Sequence, residues 1–149
     1  MAQHLSLALP DEAATRRLGA LLAPALRPGW VLHLSGELGS GKTTLVRGLL
    51  RALGYEGRVK SPTYSLVELY GVSRLNLYHF DLYRFKNETE WLSSGFRDYF
   101  NPDSVCVVEW PERAGDLLPP PDLKIHLEIS GTGRQATLEA RSPLPFSSL

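Results

Sequence analysis

The segment Gly36-Glu37-Leu38-Gly39-Ser40-Gly41-Lys42-Thr43 fits the pattern G-x-x-x-x-G-K-[ST] at every position. It constrains the fold more than any other stretch, because such a loop works only between a strand and the first turn of a helix. Both flanks are present. Trp30-Val31-Leu32-His33-Leu34-Ser35 reads as a short buried strand, and Leu45, Val46, Leu49, Leu50 and Leu53 then recur at helical spacing. Gly36, Gly39 and Gly41 let the backbone turn its N–H groups inward with no side chain in the way. Lys42 would set its ammonium on the β- and γ-phosphates of a nucleotide, and the Thr43 hydroxyl would take a coordination position on Mg2+.

The remaining pattern predicts an α/β fold of the P-loop NTPase kind, a mixed parallel and antiparallel sheet of about seven strands flanked by helices. His4 to Leu9 alternates like an edge strand. Asp11 is placed to cap a helix carrying Leu18, Leu21, Leu22 and Leu26, which Pro28-Gly29 would end. Arg58 to Thr63 reads as a loop. Tyr64–Tyr70 and Leu75–Phe80 read as strands of a hairpin turning at Gly71-Val72-Ser73-Arg74, and Asn87 to Phe100 holds one or two short helices. The unbroken run Ser104-Val105-Cys106-Val107-Val108 marks a strand buried on both faces. Leu123–Ile129 and Gln135–Ala140 form a second hairpin around Gly131-Thr132-Gly133. The expected organisation is one domain over residues 1–141 and a loose tail over 142–149.

A phosphate loop by itself binds; turnover also needs a carboxylate for a metal shell and a group that orients the attacking water. Glu109 ends the buried run at 104–108, where a central parallel strand would deliver it beside the loop, and Asp81 ends the strand at 75–80. Either could hold Mg2+ while the other orients the nucleophile. Ser61-Pro62-Thr63 falls where a γ-phosphate-sensing segment would lie, with an ordinary turn as the competing reading for Thr63. Trp110 would pack beside the nucleotide or serve as core or interface. His33 and His79, lacking partners at metal-ligand spacing, read as structural, and Cys106 as a buried filler.

Composition narrows the class. Sixteen basic and sixteen acidic residues give a net charge of zero, so the chain lacks the global basic field of an autonomous nucleic-acid binder. One cysteine excludes an internal disulfide. No apolar stretch reaches membrane-spanning length and the start lacks the regions of a secretory signal, so the expectation is a cytoplasmic protein without membrane contact. The chain has neither [NT]-K-x-D nor D-x-x-G, which argues against a guanine-specific GTPase. Leu92-Ser93-Ser94-Gly95-Phe96 only echoes the Leu-Ser-Gly-Gly-Gln signature of ABC-type ATPases. A small-molecule kinase and a nucleotide-dependent assembly factor with negligible turnover stay open as alternatives to an ATPase.

Read in order, the phosphate loop with Thr44, Lys60-Ser61-Pro62-Thr63-Tyr64, His79-Phe80-Asp81-Leu82-Tyr83-Arg84, Gly95-Phe96-Arg97-Asp98-Tyr99-Phe100 and Val108-Glu109-Trp110-Pro111 resemble the TsaE (YjeE) family. These are the bacterial ATPase subunits of tRNA threonylcarbamoyladenosine synthesis. The resemblance covers residues 3 to 140. It implies slow Mg2+-dependent ATP hydrolysis, with ATP and Mg2+ as cofactors, in concert with a heterodimer of TsaD- and TsaB-type proteins, and contact with tRNA through that complex. It implies that backbone amides from Gly39 through Ser40, Gly41, Lys42 and Thr43 to Thr44 cradle phosphate and that Lys42 neutralises it. Thr43 and Glu109 would hold the metal and Asp81 would support water attack. Ser61 and Thr63 would act as a switch. Glu12 and Thr15 become candidate contacts to the adenine, with Glu112 a weaker one. Arg84 is a candidate accessory to Asp81, with a transition-state finger supplied by a partner as the other source.

Overall fold

The computed structural model describes residues 3–72 and 75–149. Strand β1 (Gln3–Leu9) buries Leu7 and Leu9 and exposes Ser6 and Ala8, the period-2 alternation of a half-covered edge. Helix α1 (Glu12–Leu22) starts at Asp11, whose carboxylate accepts the Ala14 N–H at 2.8 Å. It ends at Leu22, short of the expected Pro28-Gly29. Pro24 has no N–H to continue the ladder, and the chain tightens into a 3-10 turn over Ala23–Ala25. Strand β2 (Val31–Ser35) and helix α2 (Lys42–Ala52) then flank the phosphate loop as their patterns require.

Strand β3 (Val67–Val72) begins three residues later than the apolar pattern indicates. Leu66 lies in the left-handed region at φ 70°, and residues 62–65 turn ahead of it, with the Leu66 N–H bonded to the Pro62 carbonyl at 2.7 Å. Strand β4 (Leu75–Asp81) pairs with it antiparallel; the expected turn residues Ser73 and Arg74 lie outside the described residues. Helix α3 (Glu88–Ser94), capped by Asn87, is followed by a 3-10 turn over Phe96–Tyr99. Strand β5 (Ser104–Glu109) is buried along its whole length. Strands β6 (Leu123–Ser130) and β7 (Gly133–Ala140) form the second hairpin.

The seven strands make one sheet in the order β1-β7-β6-β2-β5-β4-β3. Strand β2 is central, with β5 and β6 both parallel to it, and β4 runs parallel to β5. Strands β1, β7 and β3 pair antiparallel, giving the mixed sheet expected. One apolar cluster joins α1 and α2 to Leu32, Leu34, Leu77, Val105, Val107 and Ile125. A second gathers Phe85, Trp91 and Leu118 over Phe80, Cys106 and Val108. Because neighbouring residues on β4 and β5 alternate between these clusters, the two layers cover opposite faces of the sheet.

Helices α1 and α2 cross at glycine. A Cβ on Gly19 would run into the Leu45 carbonyl, and one on Gly48 into the Arg16 carbonyl, so the backbones pack without side chains between them. Cys106 is the buried filler expected, and burial pushes its thiol up to about 12. Within 142–149, however, Leu144 is buried in the first cluster and Phe146 packs against it. The Leu144 N–H also bonds Gln3 Oε1 at 2.6 Å, so these apolar side chains hold down a stretch read as loose. No helix among the described residues is long and apolar enough to cross a membrane.

Candidate functional site

Between β2 and α2 the backbone reaches φ 142° at Gly36, 80° at Gly39 and 105° at Gly41. At Gly36 any Cβ would also meet the Leu127 carbonyl and the Ser40 side chain, so the first turn of the loop admits glycine alone. Gly41 is the N-cap of α2, with no side-chain cap and no acidic residue in the first turn. The opening N–H groups of that helix and the positive end of its dipole are therefore available to an anion. Arg134, on β7, grips the loop from behind. Its guanidinium donates to the Ser40 carbonyl at 3.1 Å, the Gly39 carbonyl at 2.9 Å and the Gly133 carbonyl at 2.8 Å.

Lys42 is 6% exposed. Its ammonium donates to the Gly36 carbonyl and, at 3.4 Å, to that of Glu37, and it stands 4.2 Å from the centre of the Trp110 ring. Burial lowers its pKa below that of an ordinary lysine, opposed by the charges of Glu109, Asp81, Glu112 and Glu37. Trp110 reaches this position because its backbone is left-handed, φ 57°, immediately after the strand ends. Its ring packs on Tyr83 at 4.8 Å.

Asp81 and Glu109 lie opposite each other in the parallel register of β4 and β5, 4% and 3% exposed. Asp81 accepts the Tyr83 N–H at 2.9 Å and the Thr63 hydroxyl at 3.2 Å, and Thr63 is in turn 2.8 Å from the Ser61 hydroxyl. Burial raises the Asp81 carboxyl above the ordinary range. The Tyr83 N–H opposes this, the Glu109 charge adds to it, and the Thr63 hydroxyl and His79 oppose it. A cavity of about 310 Å³ is lined by the loop from Leu38 to Thr44 together with Ser61, Thr63, Asp81, Glu109 and Trp110. The two segments that sequence spacing singled out thus meet the loop in one place.

A second cavity of about 280 Å³ lies on the other side of the loop, lined by Asp11, Glu12, Thr15, Gly39, Gly41, Thr44, Thr132, Gly133 and Arg134. Glu12 and Thr15 therefore reach the loop. Glu112 does not line either space. It sits on the exposed turn Pro111–Arg113 and faces a different cavity of about 570 Å³ with His33, Lys124 and His126. Arg84 is also outside, its guanidinium 4.4 Å from the centre of the Tyr64 ring. The pKa of His33 is pulled down to about 4 by burial and by the Lys124 charge, against a hydrogen bond to the Pro119 backbone carbonyl.

Two residues escaped the sequence reading. Arg134 touches the loop across 94 residues of chain, and no local pattern marks it. His79, which has no partner at metal-ligand spacing in the sequence, meets one across the sheet: its Nε2 is 2.5 Å from Glu109 Oε2, with both side chains buried. Period-2 alternation, which sets His79 on the face of Asp81, was the available signal.

Oxygen donors at this site, the Thr43 hydroxyl and the two carboxylates, are of the kind a hard divalent cation takes. No group of three or more His, Cys, Asp and Glu among the described residues could hold a metal by itself, so such a cation would need ligands from phosphate and water.

Comparison with known proteins finds similar sequences and a similar fold. The sequence model of the family described as Threonylcarbamoyl adenosine biosynthesis protein TsaE matches residues 9–137. The chain is 40% identical over 147 residues to the tRNA threonylcarbamoyladenosine biosynthesis protein TsaE of Haemophilus influenzae, covering 95% of this chain and 93% of that one. It is 39% identical over 122 residues to the protein of the same name from Bacillus subtilis, covering 82% and 75%. The crystal structure of YdiB from Bacillus subtilis superposes with a TM-score of 0.80 at 31% identity, over 95% of this chain and 88% of that one.

Proposed function

The chain belongs to the TsaE family of tRNA threonylcarbamoyladenosine biosynthesis proteins, and on that premise we propose that it is a Mg2+-dependent ATPase supporting threonylcarbamoyl transfer to tRNA adenosine within a multi-protein complex. The observation that carries this reading is the convergence of Lys42, Asp81 and Glu109 with the phosphate loop on a single cavity. A loop that only bound nucleotide would not need two buried carboxylates at its mouth, where they repel the phosphates unless a cation lies between.

In this reading the N–H groups from Gly39 to Thr44 hold the phosphates at the head of α2. Lys42 exchanges the Gly36 and Glu37 carbonyls for phosphate oxygens. Thr43 and Glu109 hold Mg2+, which when bound neutralises charge on the phosphates. Asp81 orients the attacking water. Thr63, bonded to Asp81, reads the γ-phosphate and links its presence to the segment at Ser61. Glu12 and Thr15 face the adenine from the second cavity. Trp110 covers the lysine and shields it from solvent.

The partners in this reading are TsaD- and TsaB-type proteins, with tRNA engaged through them. The test is reconstitution of threonylcarbamoyladenosine formation on tRNA with the heterodimer. Multiple rounds of modification that require this chain and ATP support the assignment, and modification that proceeds equally without the chain rejects it.

A further inference from the structure

Beneath Asp81 and Glu109, the side chains of β4 and β5 that face α2 are apolar with one exception. Leu77, Val105 and Val107 are fully buried in the first core cluster, and His79, also 0% exposed, sits among them. The register pairs His79 with Val107 and Asp81 with Glu109, which puts His79 one pleat step below Glu109 and diagonal to it on the same face. Its Nε2 meets Glu109 Oε2 at 2.5 Å, and since a carboxylate accepts, the imidazole is the donor. Nδ1 has no hydrogen-bond partner among the described residues. A leucine would fill this position without an unpaired buried atom, so packing does not account for the imidazole. Among the described residues, its hydrogen bond is to Glu109.

We propose that His79 is a positioning residue for Glu109. The hydrogen bond fixes Oε2 and with it the rotamer of the carboxylate, so that Oε1 serves the cavity that Glu109 lines. A ligating carboxylate held from behind loses less orientational freedom when it takes a cation, which is how residues one shell out from a metal tune affinity. The proposal rests on the reading of Glu109 as the cation-holding carboxylate.

The test compares His79→Gln, whose amide nitrogen reaches the place of Nε2, with His79→Asn, whose amide stops near Nδ1. The readouts are Mn2+ affinity in the presence of ADP by electron paramagnetic resonance, and kcat and KM for ATP hydrolysis. Circular dichroism confirms folding, and His79→Met replaces His79→Asn if the latter does not fold. His79→Asn is expected to weaken Mn2+ binding about 10- to 100-fold and to lower kcat with little change in KM. His79→Gln stays near wild type. In a Glu109→Gln background, His79→Asn adds no further loss. A folded His79→Asn that binds Mn2+ as wild type does, or losses that simply add in the double variant, overturns the proposal alone. Absence of ADP-dependent Mn2+ binding in the wild-type chain removes the reading of Glu109 and the proposal together.

Discussion

Asp81 and Glu109 stand directly opposite each other at the ends of adjacent parallel strands, both buried and both turned toward the lysine of the phosphate loop. Like charges so placed repel unless a cation or proton separates them. Replacing either with alanine is expected to leave ATP binding measurable and to lower hydrolysis about 10²- to 10⁴-fold, the range for loss of a positioned proton-transfer or water-orienting group. Equilibrium nucleotide binding and phosphate release, measured on the same preparations, check this.

Asp81 also sets a pH dependence. Burial holds its folded pKa above the unfolded value of about 3.9. The folded state therefore binds the proton more tightly, and the resulting stability is fully present below the unfolded pKa and is lost as pH rises through the folded one. Asp81→Asn is expected to raise the thermal midpoint at neutral pH by about 2–4 °C per kcal/mol of relieved burial, while lowering hydrolysis as the alanine variant does. In the wild type, kcat should fall on the acid side at a pH above the ordinary aspartate range. Thermal melts from pH 4 to 8, alongside a pH–rate profile, check both parts.

The crossing of α1 and α2 leaves no room at Gly48, where a Cβ meets the Arg16 backbone carbonyl. Gly48→Ala is expected to cost about 1–3 kcal/mol despite the better helix propensity of alanine, because backbone rather than a flexible side chain must move. Urea unfolding of the variant measures it, with an unchanged slope and a lower midpoint as the expected result.

Arg134 ties the Gly39 and Ser40 carbonyls of the phosphate loop to β7. Arg134→Ala is expected to weaken ATP binding by about 1.5–3 kcal/mol through a looser loop, with a smaller effect on kcat. Arg134→Lys rescues only in part, since a point charge cannot reproduce the fork. Calorimetric titration with ADP separates the three proteins.

Features that depend on neighbours in the chain are legible in the sequence. The glycines of the loop, the Asp11 cap, and the carboxylates at the ends of β4 and β5 follow from local pattern and from where parallel strands deliver their last residues. The hydrogen bonds from His79 to Glu109 and from Arg134 to the loop depend on which strands become neighbours across 30 and 94 residues; period-2 alternation sets His79 on the face of Asp81 but does not say which strand lies beside it. The early end of α1 at Leu22, ahead of Pro24, and the late start of β3 after Leu66 were decided by backbone geometry that the apolar spacing alone did not reveal. Leu144 and Phe146 looked like tail because no periodicity surrounds them, yet their apolar surface found the core.

The proposed hydrolysis rests above all on Glu109, so the most direct measurement is phosphate release from Mg-ATP by the wild-type chain and by Glu109→Gln at matched, saturating nucleotide. Slow release by the wild type, raised by the TsaD- and TsaB-type heterodimer and lost in Glu109→Gln, is the predicted result. Equal release by the two proteins, with and without the heterodimer, would contradict it.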